Sequence, residues 1–334
     1  MLTNPRLDRA TSDTGSPTGA VLAFVLLATY TLLRTYWQFG QRPDNMAPGT
    51  TDSDLIVFTG WAGVALCAAG AAVAAGLTRS PRGPLARRLL PTAGALIGVA
   101  LLASAALFLL DVIGLVFPGI GIEFFPIGAA SRLVCVASGA VLVTASTSYF
   151  LTARGACRRC GRSDVSDARM CATPMWAYVA AYVAVAGCVV RVLAQAVVGF
   201  NDNPLSSGPS MIAFEGGFLL AGSLLPLALV HGWGRVWPRW VPVLRRRRIP
   251  RWLVLGPGVG ISVGIVVYFG MMLVTMIGDR LQGRNPFPPS GGLVLPEIFF
   301  WFAVPAYFVW GCGMAVAAGV YWLRTRPTCR RCGR

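Results

Sequence analysis

Apolar residues run along this chain in eight long blocks, each bounded by short polar stretches rich in Arg, Asp, Gly and Pro. The blocks lie at about 18–37, 54–77, 92–117, 126–152, 174–199, 210–231, 252–278 and 294–323. An α-helix needs roughly 20 apolar residues to cross a hydrocarbon core about 30 Å thick, and every block meets that length. The pattern therefore predicts an all-α, polytopic transmembrane fold with eight spans. Pro226, Pro257, Pro296 and Pro305 fall in or beside these blocks. Membrane helices tolerate such kinks where neighbours re-satisfy the freed carbonyls. Residues 1–17 are polar and read as a flexible N-terminal tail; with no convincing cleavage site after it, the first block reads as a retained helix.

Composition strengthens this reading. Hydrophobic residues make up 55% of the chain, charged residues 13%, and the mean hydropathy is +0.63. A soluble globule carries about a quarter charged residues, so much of this surface faces something other than water. Membrane lipids are the expected partners, and the cell membrane the expected location, with multiple passes. The sequence specifies no oligomeric state.

The net charge is +16, and all 29 basic residues are arginine. They form short clusters between apolar blocks, not a continuous basic face, which argues against nucleic acid as a partner. Of the 29, 23 fall in the N-terminal tail, the loops at 78–90, 153–173 and 232–251, and the C-terminal tail. The alternate loops hold three: Arg42, Arg280 and Arg284. By the positive-inside rule both termini are cytoplasmic. The tryptophans at 233, 237, 240 and 252 suit a membrane interface.

One six-residue motif occurs twice. Cys157-Arg158-Arg159-Cys160-Gly161-Arg162 recurs as Cys329-Arg330-Arg331-Cys332-Gly333-Arg334, 172 residues on. Upstream, Arg34 and Gln38 match Arg191 and Gln195, and Ile56-x-Phe58-x-Gly60 matches Ile212-x-Phe214-x-Gly216. Asp111-x-x-Gly114 faces Thr275-x-x-Gly278. These matches predict two parallel four-helix repeats: residues 18–162 and 174–334, each closed by the motif, with a cytoplasmic linker at 163–173. An even number of spans per repeat makes the halves parallel, whereas inverted repeats are a common transporter signature.

A Cys-x-x-Cys-Gly turn is the shape of a zinc knuckle, and two knuckles supply the four thiolates of a structural tetrahedral site. Cys157, Cys160, Cys329 and Cys332 are the expected ligands of a structural zinc that pins the halves together. A redox pair, or cysteines without chemistry, are the alternatives. Cys67, Cys135, Cys188 and Cys312 lie inside apolar blocks and read as core or lipid-facing residues.

Ionisable residues at membrane depth are costly and are candidates for function. Arg34, Arg191, Arg132, Asp111 and Glu215 qualify. The expected binding set is Arg34, Gln38, Arg191, Gln195, Asp111 and Glu215, forming an extracellular pocket for a small anionic or polar ligand. One expected pairing sets Arg34 against Asp111 and Arg191 against Glu215; satisfied ion pairs near the headgroups are the plainer account. No HExxH, P-loop, GxSxG or dinucleotide fingerprint is present, so the sequence assigns no catalytic residues and gives no support for an enzyme.

Leu33-Arg34-Thr35-Tyr36-Trp37-Gln38-Phe39-Gly40 and Pro238-Arg239-Trp240, with the arginine-rich composition, resemble uncharacterised multi-pass membrane proteins of high-GC actinobacteria. That resemblance implies a membrane fold and transfers no activity. The sequence thus points to a structural, regulatory, small-solute-binding or lipid-binding membrane protein. A transporter or permease with an outward-facing arginine pocket is the alternative.

Overall fold

In a hydrocarbon environment no water is present to satisfy backbone N–H and C=O groups, so an apolar block of this length is driven to the self-satisfied helix. The computed structural model describes residues 18–47, 54–79, 84–153, 156–157, 162, 172–199, 208–237, 247–287 and 295–329. Among these the elements are α1 (Thr18–Tyr36), α2 (Gly60–Thr78), α3 (Pro84–Ser104), α4 (Phe108–Val116) and α5 (Pro126–Ala153), followed by α6 (Met175–Val198), α7 (Pro209–Val230), α8 (Arg251–Leu281) and α9 (Glu297–Thr325). A π-helical turn, Trp37–Gln41, extends α1, and a 3-10 turn, Gly232–Arg235, follows α7. Eight of the helices are long and apolar enough to cross a membrane, as a multi-pass membrane protein requires.

Two blocks differ from the sequence pattern. The second helix begins at Gly60, not near residue 54, because Thr59 is extended and Gly60 turns the chain at φ +55°. The residues before it form bends, with Asp54 and Leu55 buried. The third block, expected at 92–117, is two helices. α3 starts early at Pro84, a residue well suited to a first helical turn. It stops at Ser104, whose carbonyl accepts the Ile56 N–H at 3.1 Å from outside the helix. The chain then turns through residues 105–107 and restarts as α4.

The chain folds into two compact units. The first comprises Met1–Ala105, Pro126–Asp167 and Thr328–Arg334; the second comprises Ala106–Phe125 and Ala168–Pro327. Within the first, α1 packs on α2, α2 on α3, α3 on α5 and α5 on α1. Within the second, α6 packs on α7, α7 on α8, α8 on α9 and α9 on α6, with α4 added against α8.

Lipid tails are as apolar as leucine, so close backbone packing, not burial from water, must hold such helices together. Gly98 and Gly139 supply it between α3 and α5, where a Cβ on either would sit 2.8 Å from the other's carbonyl oxygen. Between α6 and α9, a Cβ at Gly187 would lie 2.6 Å from the Ala306 carbonyl. The first core is built on small and aliphatic residues such as Leu27, Leu101 and Leu142. The second is built around Trp310, Met314 and Tyr321.

Candidate functional site

Arg34, in the last turn of α1, is almost wholly buried and cannot keep its charge there without a partner. Its partner is Asp54: Arg34 Nη1 donates to Asp54 Oδ2 at 2.8 Å, and the two side chains are 3% and 4% exposed. This replaces the pairing of Arg34 with Asp111 read from the sequence. Arg34 Nη1 also donates to the Tyr30 hydroxyl at 2.9 Å. Ser131 Oγ on α5 donates to Asp54 Oδ2 at 2.6 Å, which uses its only proton. The 2.5 Å bond between Tyr30 and Ser131 must therefore run from the tyrosine O–H to the serine oxygen. Arg132 Nη1 holds the same segment from behind, donating to the carbonyls of Met46 and Asp54 at 3.0 Å each. The Asp54 carboxylate is thus held within the first unit, while Arg34 Nε stays buried without a hydrogen-bond partner among the described residues.

The second unit differs. Arg191 on α6 donates from Nε to the Tyr307 hydroxyl at 2.7 Å, and its guanidinium lies over the rings of Phe218 and Tyr307, 5.5 and 5.7 Å from their centroids. Among the described residues Arg191 makes no ion pair. The expected pairing with Glu215 is not formed; Glu215 stays half-buried on α7.

Arg191 and Gln195 stand one turn apart, at the i, i+4 spacing that places both on one helix face. Both line a cavity of about 900 Å³ enclosed by α4, α6, α7, α8, α9 and the segment before α9. Its wall is aliphatic and aromatic, with ten aromatic residues among the lining. Phe269 stacks on Tyr307 with centroids 3.9 Å apart, Phe218 meets Trp310 edge-on at 5.1 Å, and Phe287 stacks on Phe300 at 3.8 Å. Gln195 donates to the Gly199 carbonyl at 2.8 Å, which leaves its side-chain oxygen as an acceptor. Trp310 is 1% exposed, and among the described residues its indole N–H has no acceptor. Among the described residues Arg191 is the single charged side chain lining this space. Such a wall accepts an apolar body and offers one cation to an acidic group.

The six expected binding residues therefore divide. Arg191 and Gln195 share the cavity of the second unit. Arg34 is sequestered with Asp54 in the first, and Gln38 is half-buried in the π-helical turn after it, near Gly60. Asp111 is buried in α4 and does not line the cavity, although its neighbours Leu110 and Val112 do. Sequence reasoning missed Asp54, Tyr30, Ser131, Tyr307 and Trp310. The dense aromatic run on α9, from Phe299 to Trp310, was a signal for the last two.

Of the four expected metal ligands, Cys160 and Cys332 lie outside the described residues. Cys157 and Cys329 are described, and both belong to the first compact unit. The Cys157 N–H donates to the Arg162 carbonyl at 2.7 Å. Among the described residues no three His, Cys, Asp or Glu side chains cluster as a metal site. Cys67, Cys135 and Cys188 are buried free thiols. His231 packs its ring edge-on against Tyr178 and Tyr182, 5.1 and 6.1 Å between centroids.

No protein-family model, no curated protein and no solved structure matches this chain.

Proposed function

We propose that this protein is a lipid-binding membrane protein whose second unit holds an amphipathic anion, its acidic head on Arg191 and its hydrocarbon body in the aromatic cavity. The observation that carries this reading is a half-buried cation that makes no ion pair among the described residues, lining a space otherwise almost wholly apolar. The cavity volume lies within the roughly 300–1,000 Å³ of small-molecule pockets. In a bilayer an acyl tail gains little by moving from lipid to an apolar wall, so the wall selects shape and Arg191 supplies discrimination. A hydrogen bond to a charged group contributes about 1.5–3 kcal/mol, enough to favour an acid over its neutral analogue by roughly ten- to a hundredfold.

Lipid extracted from purified protein and identified by mass spectrometry tests this. Wild type retains an acidic amphiphile that Arg191→Gln loses; a wild type that retains none, or a variant that retains the same amount, overturns it. Transport is the competing reading, in which the same cavity opens alternately to the two sides. Movement of the retained amphiphile between liposome leaflets, abolished by Arg191→Gln, would favour it.

The duplication into parallel four-helix halves is part of the same reading, supported by the identical ring order of helix neighbours in the two units. A structural zinc held by Cys157, Cys160, Cys329 and Cys332 is supported by the assignment of Cys157 and Cys329 to one compact unit. Metal analysis of purified protein decides it: one zinc per chain in wild type and none after Cys157→Ser with Cys329→Ser. Equal metal content in the two proteins removes the site.

A further inference from the structure

The second unit carries another polar cluster, at the C-terminal end of α7, that the cavity does not use. Arg235 sits in the 3-10 turn after α7, and Arg324 in the last turn of α9. Their charges bear on one another, and both bear on the hydroxyl of Tyr321. Arg324 spends Nη1 on the carbonyl of Val230 at 3.0 Å, and Thr173 Oγ1 donates to the same carbonyl at 2.8 Å. Among the described residues three donors here remain buried without a hydrogen-bond partner: Nε of Arg324, and Nε and Nη2 of Arg235. Among the described residues neither arginine forms an ion pair.

The end of α7 accounts for one of these cations, because helix carbonyls favour positive charge at a C-terminus. It does not account for two. Like charges brought together oppose folding, and buried donors without acceptors add to that cost. The Nε–Nη2 edge left open on Arg235 is one that takes an oxyanion two-pronged. Arg324 Nε and the Tyr321 hydroxyl add further donors, so the cluster is rich in donors and, among the described residues, holds no acidic acceptor.

We propose that Arg235, Arg324 and Tyr321 form a binding site for one phosphate-type oxyanion. The site lies at the ends of helices long enough to cross a bilayer, where a phospholipid headgroup and a free phosphate offer the same acceptor chemistry. Bound there, the anion ties the turn after α7 to the end of α9 and relieves the repulsion between the two guanidinium groups.

The test uses full-length protein in maltoside micelles, which contain no phosphate, and reads the thermal unfolding midpoint. One arm adds phosphatidylglycerol, a second adds inorganic phosphate. Arg235→Gln is the informative variant, since the Arg235 side chain makes no hydrogen bond among the described residues; Arg324→Gln also loses the bond to Val230. Wild type is expected to gain stability with at least one addition, and Arg235→Gln to need roughly tenfold or more of it for the same gain. Stabilisation by the lipid alone assigns a headgroup, and stabilisation by phosphate assigns a free anion. A wild type that neither addition stabilises, or a response in Arg235→Gln equal to that of wild type, overturns the proposal.

Discussion

Arg34 and Arg191 occupy matching positions in sequence, each followed four residues later by glutamine, yet their surroundings differ in one decisive group. Arg34 has Asp54. At the offset that sets Ile56 against Ile212, the residue opposite Asp54 is Ser210, which carries no charge. Tyr30, which hydrogen-bonds Arg34, stands opposite Gly187, against which Trp310 packs. One arginine is consequently tied to a carboxylate and the other, among the described residues, is not, and stability measurements distinguish the two. Asp54→Asn leaves a charged guanidinium buried without its counter-ion and is expected to cost about 3 kcal/mol or more. Arg34→Gln in the same chain restores most of that loss, because it removes the stranded charge. Arg191→Gln gives up one hydrogen bond to Tyr307 and costs about 1 kcal/mol. Unfolding by sodium dodecyl sulfate titration in mixed micelles reads all three. Equal losses from Asp54→Asn and Arg191→Gln would contradict the division.

The helices themselves were legible, because length and apolarity are what the bilayer demands and both are written in the sequence. Where elements end was less so, since tertiary bonds decide it. The break after Ser104 is invisible in the apolar run 92–117, because its cause is the Ile56 N–H from another part of the chain. Asp54 looked like the edge of a span, but the turn at Gly60 brings it back against Arg34. Arg191 and Gln195 were legible as neighbours because helical spacing alone sets them on one face. The folded segment before α2 depends on a close approach to α5. A Cβ at Gly128 would collide with the Met46 carbonyl, one of the two acceptors of Arg132 Nη1. Gly128→Val must push the segment away and strand part of Arg132, at a cost of about 3 kcal/mol, the upper range for overpacking. Hydrogen exchange of the peptide covering residues 42–56 is expected to quicken in this variant while α8 and α9 keep their wild-type rates. Unchanged exchange would mean that the segment is held by something other than this contact.

At the scale of the whole molecule the arginines make a prediction that the helices alone do not. Eight spans can enter the membrane in either direction, and apolar length does not choose between them. The charge distribution does, because arginines near a span resist translocation and anionic cytoplasmic lipids attract each by about 1 kcal/mol. With 23 arginines on one set of connections and tails and three on the other, the bias is cumulative along the chain. It also bears on the duplication. If each half is a unit of four spans, both copies of Cys-Arg-Arg-Cys-Gly-Arg must lie on one side; with an odd number of spans between them they would lie on opposite sides, and no shared metal site could form. Reporter fusions after positions 162, 247 and 334 are therefore expected to report the cytoplasm, and fusions after 202 and 290 the outside. Fusions at 162 and 334 on opposite sides would end both the parallel repeat and the four-thiolate site. The same side for both, but outside, would leave the repeat intact, reverse the membrane orientation and place the Arg235–Arg324 cluster away from the cytoplasm.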